Sequence, residues 1–218
     1  MAEETRERLI QVAERLFAER GLHGVSLREI GTAAGQRNNF VNQYHFGSKQ
    51  GLVDAIFDYR MRPINDRRMV LFRELERSGH DRDLRSLLEA LVLPLAEVLQ
   101  PGSYYARFQA QIWSDPLQAR LISMQLSQMQ GVKLVSVRIE ICARGLPPAL
   151  RRQRLLLAAK LMVLAFAEHE RDLEVRRVPL TPLNILVSDL LDMMVGIINA
   201  PVSLETRREL LAAARRRA

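Results

Sequence analysis

A single cysteine, Cys142, stands in a chain of 218 residues. An intrachain disulfide framework is thereby excluded, and a reducing compartment is favoured. Aromatic residues are scarce, at 6%. No stretch reaches the roughly 20 apolar residues needed to cross a bilayer. The opening MAEETRER alternates acid and base with no apolar core, unlike a signal peptide. These absences predict a cytoplasmic protein with no membrane partner. Catalytic signatures are missing too: there is no phosphate-cradling glycine loop, nucleophile elbow or cysteine cluster. Glu168-His169-Glu170 has no second histidine at i+4, so no metal site is expected and His169 reads as a surface or dimer-face residue. Cys142 reads as a buried structural thiol. Neither a cofactor nor an enzyme is expected.

What is present is positive charge and helix-forming pattern. The formal charge of +7 and pI near 10.3 suit a polyanionic partner. Hydrophobic residues make up 48%, repeating at three and four positions, and few residues favour strands, so the fold class reads all-α.

The organising stretch is SLREIGTAAGQRNNFVNQYHFGSKQGL, from Ser26 to Leu52. Ser26 followed by Glu29 is a capping box, which starts a short helix at Leu27. Gly35 supplies the permissive backbone that ends it. A second helix follows, with Val41 and Tyr44 at inward spacing and Arg37, Asn38, Asn39, Asn42 and Gln43 left to hydrogen-bond rather than pack. Asn and Gln carry a donor beside an acceptor, the pattern that meets the major-groove edge of adenine bidentately. Asn38 with Asn42, and Asn39 with Gln43, are i,i+4 neighbours on one surface. An exposed Phe40 suits a thymine methyl. Arg28, Tyr44, His45 and Lys49 are placed for phosphate oxygens, which set register without reading sequence. The predicted partner is double-stranded DNA, with A·T pairs in each half-site. The competing reading of the same residues is a helical protein-binding or small-molecule-binding module that does not use the motif on DNA.

The run AAGQRNNFVNQYHFGSKQGL, with the first helix before it, resembles the N-terminal domain of TetR-family (tetracycline-repressor-like) transcriptional regulators. Tyr44, His45, Phe46, Gly47, Ser48 and Lys49 carry the likeness, which covers about residues 5 to 52. Between Gly35 and Tyr44 the chain is one residue longer than the commonest family spacing, which leaves the register of the reading helix open by one position. The resemblance implies a helix-turn-helix domain over residues 1–50 and a helical ligand-binding and dimerisation domain over 51–218. It also implies a homodimer that answers to a small-molecule effector.

Along the chain, the first helix is expected from about Thr5 to Arg20, ended by Gly21, and His23 is read as a surface residue. A long helix from Lys49 to Ser78 should kink or break near Pro63. Further helices are expected over Asp81 to Leu99, Ser103 to Ser114, Pro116 to Arg144, Pro148 to Leu173, Pro182 to Asn199 and Leu204 to Arg216. Asp115-Pro116 and Thr181-Pro182 supply cap and first-turn proline. Leu155 to Ala167 and Leu183 to Ile198 are apolar almost all round, so a second subunit packing near 151–173 and 182–199 is the economical expectation. Tyr104, Tyr105, Phe108, Trp113, Met124 and Met129 concentrate bulky groups where an effector cavity is expected.

Overall fold

Helix α1 (Ala2–Arg20) buries Leu9, Ile10, Ala13 and Phe17, the inward stripe of its sequence. Gly21 ends it at φ 77°, a conformation costly for any residue with a Cβ. These features belong to a computed structural model that describes residues 2–36, 38, 41–176 and 179–216. Eleven helices and no strand occur among the described residues. The chain is all-α, as its periodicity implies.

Helices α2 (Leu27–Ala33) and α3 (Val41–Phe46) pack on α1 and on the start of α4 (Lys49–Ser78). Of the kink or break expected near Pro63, the break does not occur: helix α4 continues through it. Pro63 lies on the exposed face, so the buried row Met61, Ile64, Arg68 and Phe72 stays packed on the other side. Its N-cap is Ser48, whose Oγ accepts from the Gly51 amide at 3.0 Å.

Next come α5 (Leu84–Ala96), α6 (Tyr105–Ser114), α7 (Pro116–Gln128), α8 (Gln130–Cys142), α9 (Pro148–Arg176), α10 (Leu183–Asn199) and α11 (Leu204–Arg215). The single helix expected over Pro116 to Arg144 is two. Met129 adopts extended backbone at ψ 121°, and α8 starts afresh after it. The Asn65 side chain of α4 supplies the acceptor for the Val132 amide at 3.3 Å that a helix start lacks on its own. Asp115 caps α7 through the Leu117 and Gln118 amides at 2.9 and 3.1 Å, as its sequence implies. Thr181 does not cap α10: the N-cap there is Pro182, with no side-chain bond.

The amino-terminal helices are not a detached module. Phe17 of α1 stacks on Phe108 of α6 with ring centroids 6.3 Å apart, and Phe108 in turn on Tyr105 at 6.2 Å. Glu14 of α1 and Arg60 of α4 form a two-pronged pair at 2.6 and 2.8 Å, with the carboxylate almost wholly buried. Burial pushes the Glu14 carboxyl up, and the Arg60 guanidinium opposes that push. Glu170 of α9 plays a similar bracing part. It is 2% exposed and accepts from Ser103 Oγ at 2.7 Å and from the Ala106 and Arg107 amides at 3.1 and 2.9 Å. Helix α6 has no side-chain cap of its own, so a carboxylate from a distant helix does that work.

His169 is buried rather than on the surface, and burial lowers its pKa. Cys142 is half-buried, its Sγ donating to the Arg82 carbonyl at 3.3 Å, and burial raises the thiol's pKa. His23 is exposed, as expected, but meets Asp115 at 3.0 Å, joining the α1–α2 loop to the start of α7. No single helix among the described residues is long and apolar enough to cross a membrane.

Candidate nucleic-acid interface

The capping box forms as the sequence specifies. Ser26 Oγ accepts from the Glu29 amide at 3.2 Å, and Glu29 Oε2 accepts from the Ser26 amide at 2.8 Å. Arg20 adds a further bond to Glu29 at 2.9 Å. Together the Ser26 side chain and amide, with Arg20, hold the Glu29 carboxyl at about 2, well below its ordinary value. Helix α2 is therefore anchored at its start by an ionised acid. Gly35, at φ 74°, then turns the chain toward α3.

Helix α3 is a turn and a half, from Val41 to Phe46. Its polar side chains divide. Gln43 is exposed, and Tyr44 is 83% exposed rather than turned inward. Asn42 departs from the expected role. It is 0% exposed, and its Nδ2 donates to the Leu27 carbonyl at 2.6 Å. An amide spent on the neighbouring helix cannot meet a base edge. It fixes the angle between α2 and α3 instead, across Gly31, where an added Cβ would lie 3.3 Å from Nδ2. Asn38 is exposed, just ahead of the helix. Arg37, Asn39 and Phe40 lie outside the described residues.

The flanking groups form a mixed polar and cationic rim. Arg28 is exposed on α2, and His45 is half-buried with its ring edge-on to Tyr44 at 5.1 Å. Lys49 lies partly buried with Nζ 5.7 Å from the centre of the Phe17 ring, and partial burial lowers its pKa. Arg6 of α1 covers the Phe46 ring at 5.6 Å. The aromatic rings thus hold two cations beside the helix that projects Gln43 and Tyr44.

The six residues expected around an effector cavity do not line one together. Tyr105 and Phe108 are core, fully buried in the stack with Phe17. Tyr104 is half-buried under the Arg107 guanidinium at 4.7 Å. Trp113 and the exposed Met124 line an open groove of about 410 Å³ with Arg120, Arg152 and Lys160. Met129 sits at the α7–α8 junction. The periodicity that places aromatic groups on one helix does not say which neighbour each will meet. A smaller apolar cavity of about 110 Å³ lies elsewhere, among Leu88 and Leu91 of α5, Ile139 of α8 and Met194 of α10. No cluster of three or more His, Cys, Asp or Glu able to hold a metal occurs among the described residues.

Comparison with known proteins agrees with this geometry. The sequence profile of "Bacterial regulatory proteins, tetR family" matches residues 9–56, which span α1 to the first turns of α4. The HTH-type transcriptional repressor KstR2 of Rhodococcus jostii (strain RHA1) is 38% identical over 94 residues. That match spans 43% of this chain and 43% of the relative's length. The crystal structure of the probable transcriptional regulatory protein RHA5900 shares the fold with a TM-score of 0.52 at 22% identity, over 90% of this chain and 100% of that one.

Proposed function

We propose that this chain, whose residues 9–56 match the tetR family of bacterial regulatory proteins, is a ligand-responsive repressor of that family, holding a palindromic operator as a homodimer. Regulators of that family are DNA-binding proteins rather than enzymes. The observation that carries the reading is the α2–α3 pair. Asn42 is bonded to Leu27, so α3 is held at a set angle with Gln43 and Tyr44 outward. In that arrangement Gln43 reads base edges, while Arg28, Tyr44, His45 and Lys49 meet phosphate oxygens. Asn38 adds an amide at the approach to the helix. Repression follows the relative's name.

The homodimer rests on apolar surface. Leu157 and Leu164 of α9 and Ile185 and Met193 of α10 are exposed, Leu164 by 55%. A second copy packed on 151–173 and 182–199 buries them and sets two α3 helices in successive major grooves. Residues 1–50 serve as the DNA unit and 51–218 as the effector and dimer unit, joined by the α1–α6 and α1–α4 contacts already described. An effector acts by favouring a dimer geometry that the operator does not.

Selection of bound duplexes from a random pool, followed by gel shifts at rising salt, tests the reading. A symmetric selected site bound with steep salt dependence is expected. Retention of random and selected duplexes alike, with no salt dependence, overturns it.

A further inference from the structure

Arg68 is the most exceptional side chain in the interior. It is 3% exposed, yet its only hydrogen bond among the described residues runs from Nη2 to the Leu91 carbonyl at 3.1 Å. Nε and Nη1 are buried and have no partner among those residues. No acidic side chain among the described residues pairs with it. The nearby buried carboxylate, Glu14, is already held by both prongs of Arg60. Natural interiors rarely leave a guanidinium in this state, because removing a charge from water costs several kcal/mol per ion unless a counter-charge replaces the solvent.

A second polar group faces the same region. The Tyr105 hydroxyl is fully buried with the Gln109 side chain as its polar neighbour, and Gln109 Oε1 is left without a partner among the described residues. Tyr105 lies within electrostatic reach of Arg68, and burial pushes its phenol up, so it stays a neutral donor. Arg68 itself remains a cation, burial lowering it only to about 10. The surroundings are apolar: Met61, Ile64, Phe72, Leu87 and Leu88 are all buried. Leu91, whose carbonyl Arg68 touches, also lines the 110 Å³ apolar cavity under α5.

We infer that Arg68 and the Tyr105 hydroxyl form the receptor for the carboxylate of an apolar organic acid, bound among α4, α5, α6 and α8. A single buried guanidinium neutralises one charge, which suits a monocarboxylate better than a phosphate dianion. Its planar fork also matches a carboxylate in two-pronged geometry. Helix α8 packs directly against Arg68. Gly131 at its start lies so close that an added Cβ would fall 2.8 Å from Asn65 Oδ1 and 3.3 Å from Arg68 Cβ. Asn65 holds that helix start to α4 through the Val132 amide. The start of α8, just after the break at Met129, therefore lies against Arg68. This inference rests on reading the chain as a ligand-responsive regulator and supplies the class of ligand.

The test is thermal melting and calorimetric titration of the full chain with butyrate, octanoate and phenylacetate, each against its uncharged amide. Expected is binding of at least one acid and none of its amide. Arg68→Met should weaken that acid about ten- to a hundredfold, and Tyr105→Phe severalfold. Arg68→Met should also melt at or above the wild-type temperature without ligand, where a structural arginine would melt lower. Equal binding by Arg68→Met, or no binding of any of the three acids, overturns the inference. Should Arg68→Met not fold, crystals grown with the bound acid decide: a carboxylate on Arg68 supports the site, and one elsewhere overturns it. A gel shift on the same preparation separates the two failures. A chain that binds DNA but no acid loses only this inference, whereas one that binds neither loses the regulator reading as well.

Discussion

Asn42 Nδ2 donates to the Leu27 carbonyl at 2.6 Å, so the middle of the helix-turn-helix is closed by a buried amide. That bond separates two asparagine and glutamine roles that look alike in sequence. Asn42 positions α3, and its neighbour Gln43, rotated by about 100° on the helix, faces outward.

Substitution should tell the two apart. Asn42→Ala is expected to cost about 1 kcal/mol of stability by deleting a buried hydrogen bond and to weaken every duplex alike. Gln43→Ala should leave the melting temperature unchanged and relax preference at one or two base pairs. Melting curves with binding to a panel of single-base variants check both. Unchanged base preference in Gln43→Ala removes that residue from base readout.

The Glu14–Arg60 pair carries a pH signature. Arg60→Met leaves the carboxylate buried and alone, which should cost about 3 kcal/mol at neutral pH, the low end for a buried pair because Arg60 is one-third exposed. Burial already raises the Glu14 pKa, and loss of the guanidinium raises it further. The folded variant then binds a proton that the unfolded chain releases, so its stability rises as pH falls from 8 toward 5. Urea midpoints across that range measure it. Glu14→Gln combined with Arg60→Met should flatten the dependence.

Glu29 gives the opposite sign. Its carboxyl is held at about 2 against an ordinary value of 4.5, so the capping box contributes fully above pH 4.5 and is lost as pH falls toward 2. The melting difference between wild type and Glu29→Gln should be constant from pH 5 to 7 and shrink below 4. A difference independent of pH contradicts the assignment.

Glu170 holds the start of α6 from across the domain. Glu170→Ala should cost about 2–3 kcal/mol, since two buried amides and a hydroxyl lose a charged acceptor. Glu170→Gln keeps one amide oxygen as acceptor and should recover part of the loss. Denaturant midpoints with unchanged m-values read this out.

The apolar face of α9 and α10 predicts the assembly. Leu164→Glu places a charge on surface that a partner would cover, and should yield monomer in light scattering together with at least tenfold weaker operator binding. A dimer that persists in Leu164→Glu with full affinity places the interface elsewhere.

Residues whose neighbours lie within a few positions were legible from the chain alone. The Ser26–Glu29 capping box, the Asp115 cap and the positive-φ turns at Gly21 and Gly35 all form where spacing puts them. So do the helical periodicity and the likeness around Tyr44–Lys49. The sequence also held one signal that is easy to overlook: Arg68 continues the apolar row Met61, Ile64, Phe72 at spacings of three and four. A charge in that row is a buried charge.

Local pattern thus determined the helix count nearly throughout, the all-α class and the position of the turn between α2 and α3, because caps, glycine turns and 3.6-residue periodicity act within one or two helical turns. Tertiary structure alone decided that Asn42 turns inward, that α7 and α8 part at Met129, that Pro63 leaves α4 unbroken, and that the bulky residues from Tyr104 to Met129 scatter among core, groove and helix junction. Three of those outcomes depend on a partner elsewhere in the chain: Leu27 for Asn42, Asn65 for Val132, Phe17 for Phe108. The free energy of a polar or aromatic side chain is set by what it meets, and only the packed fold brings those partners within reach.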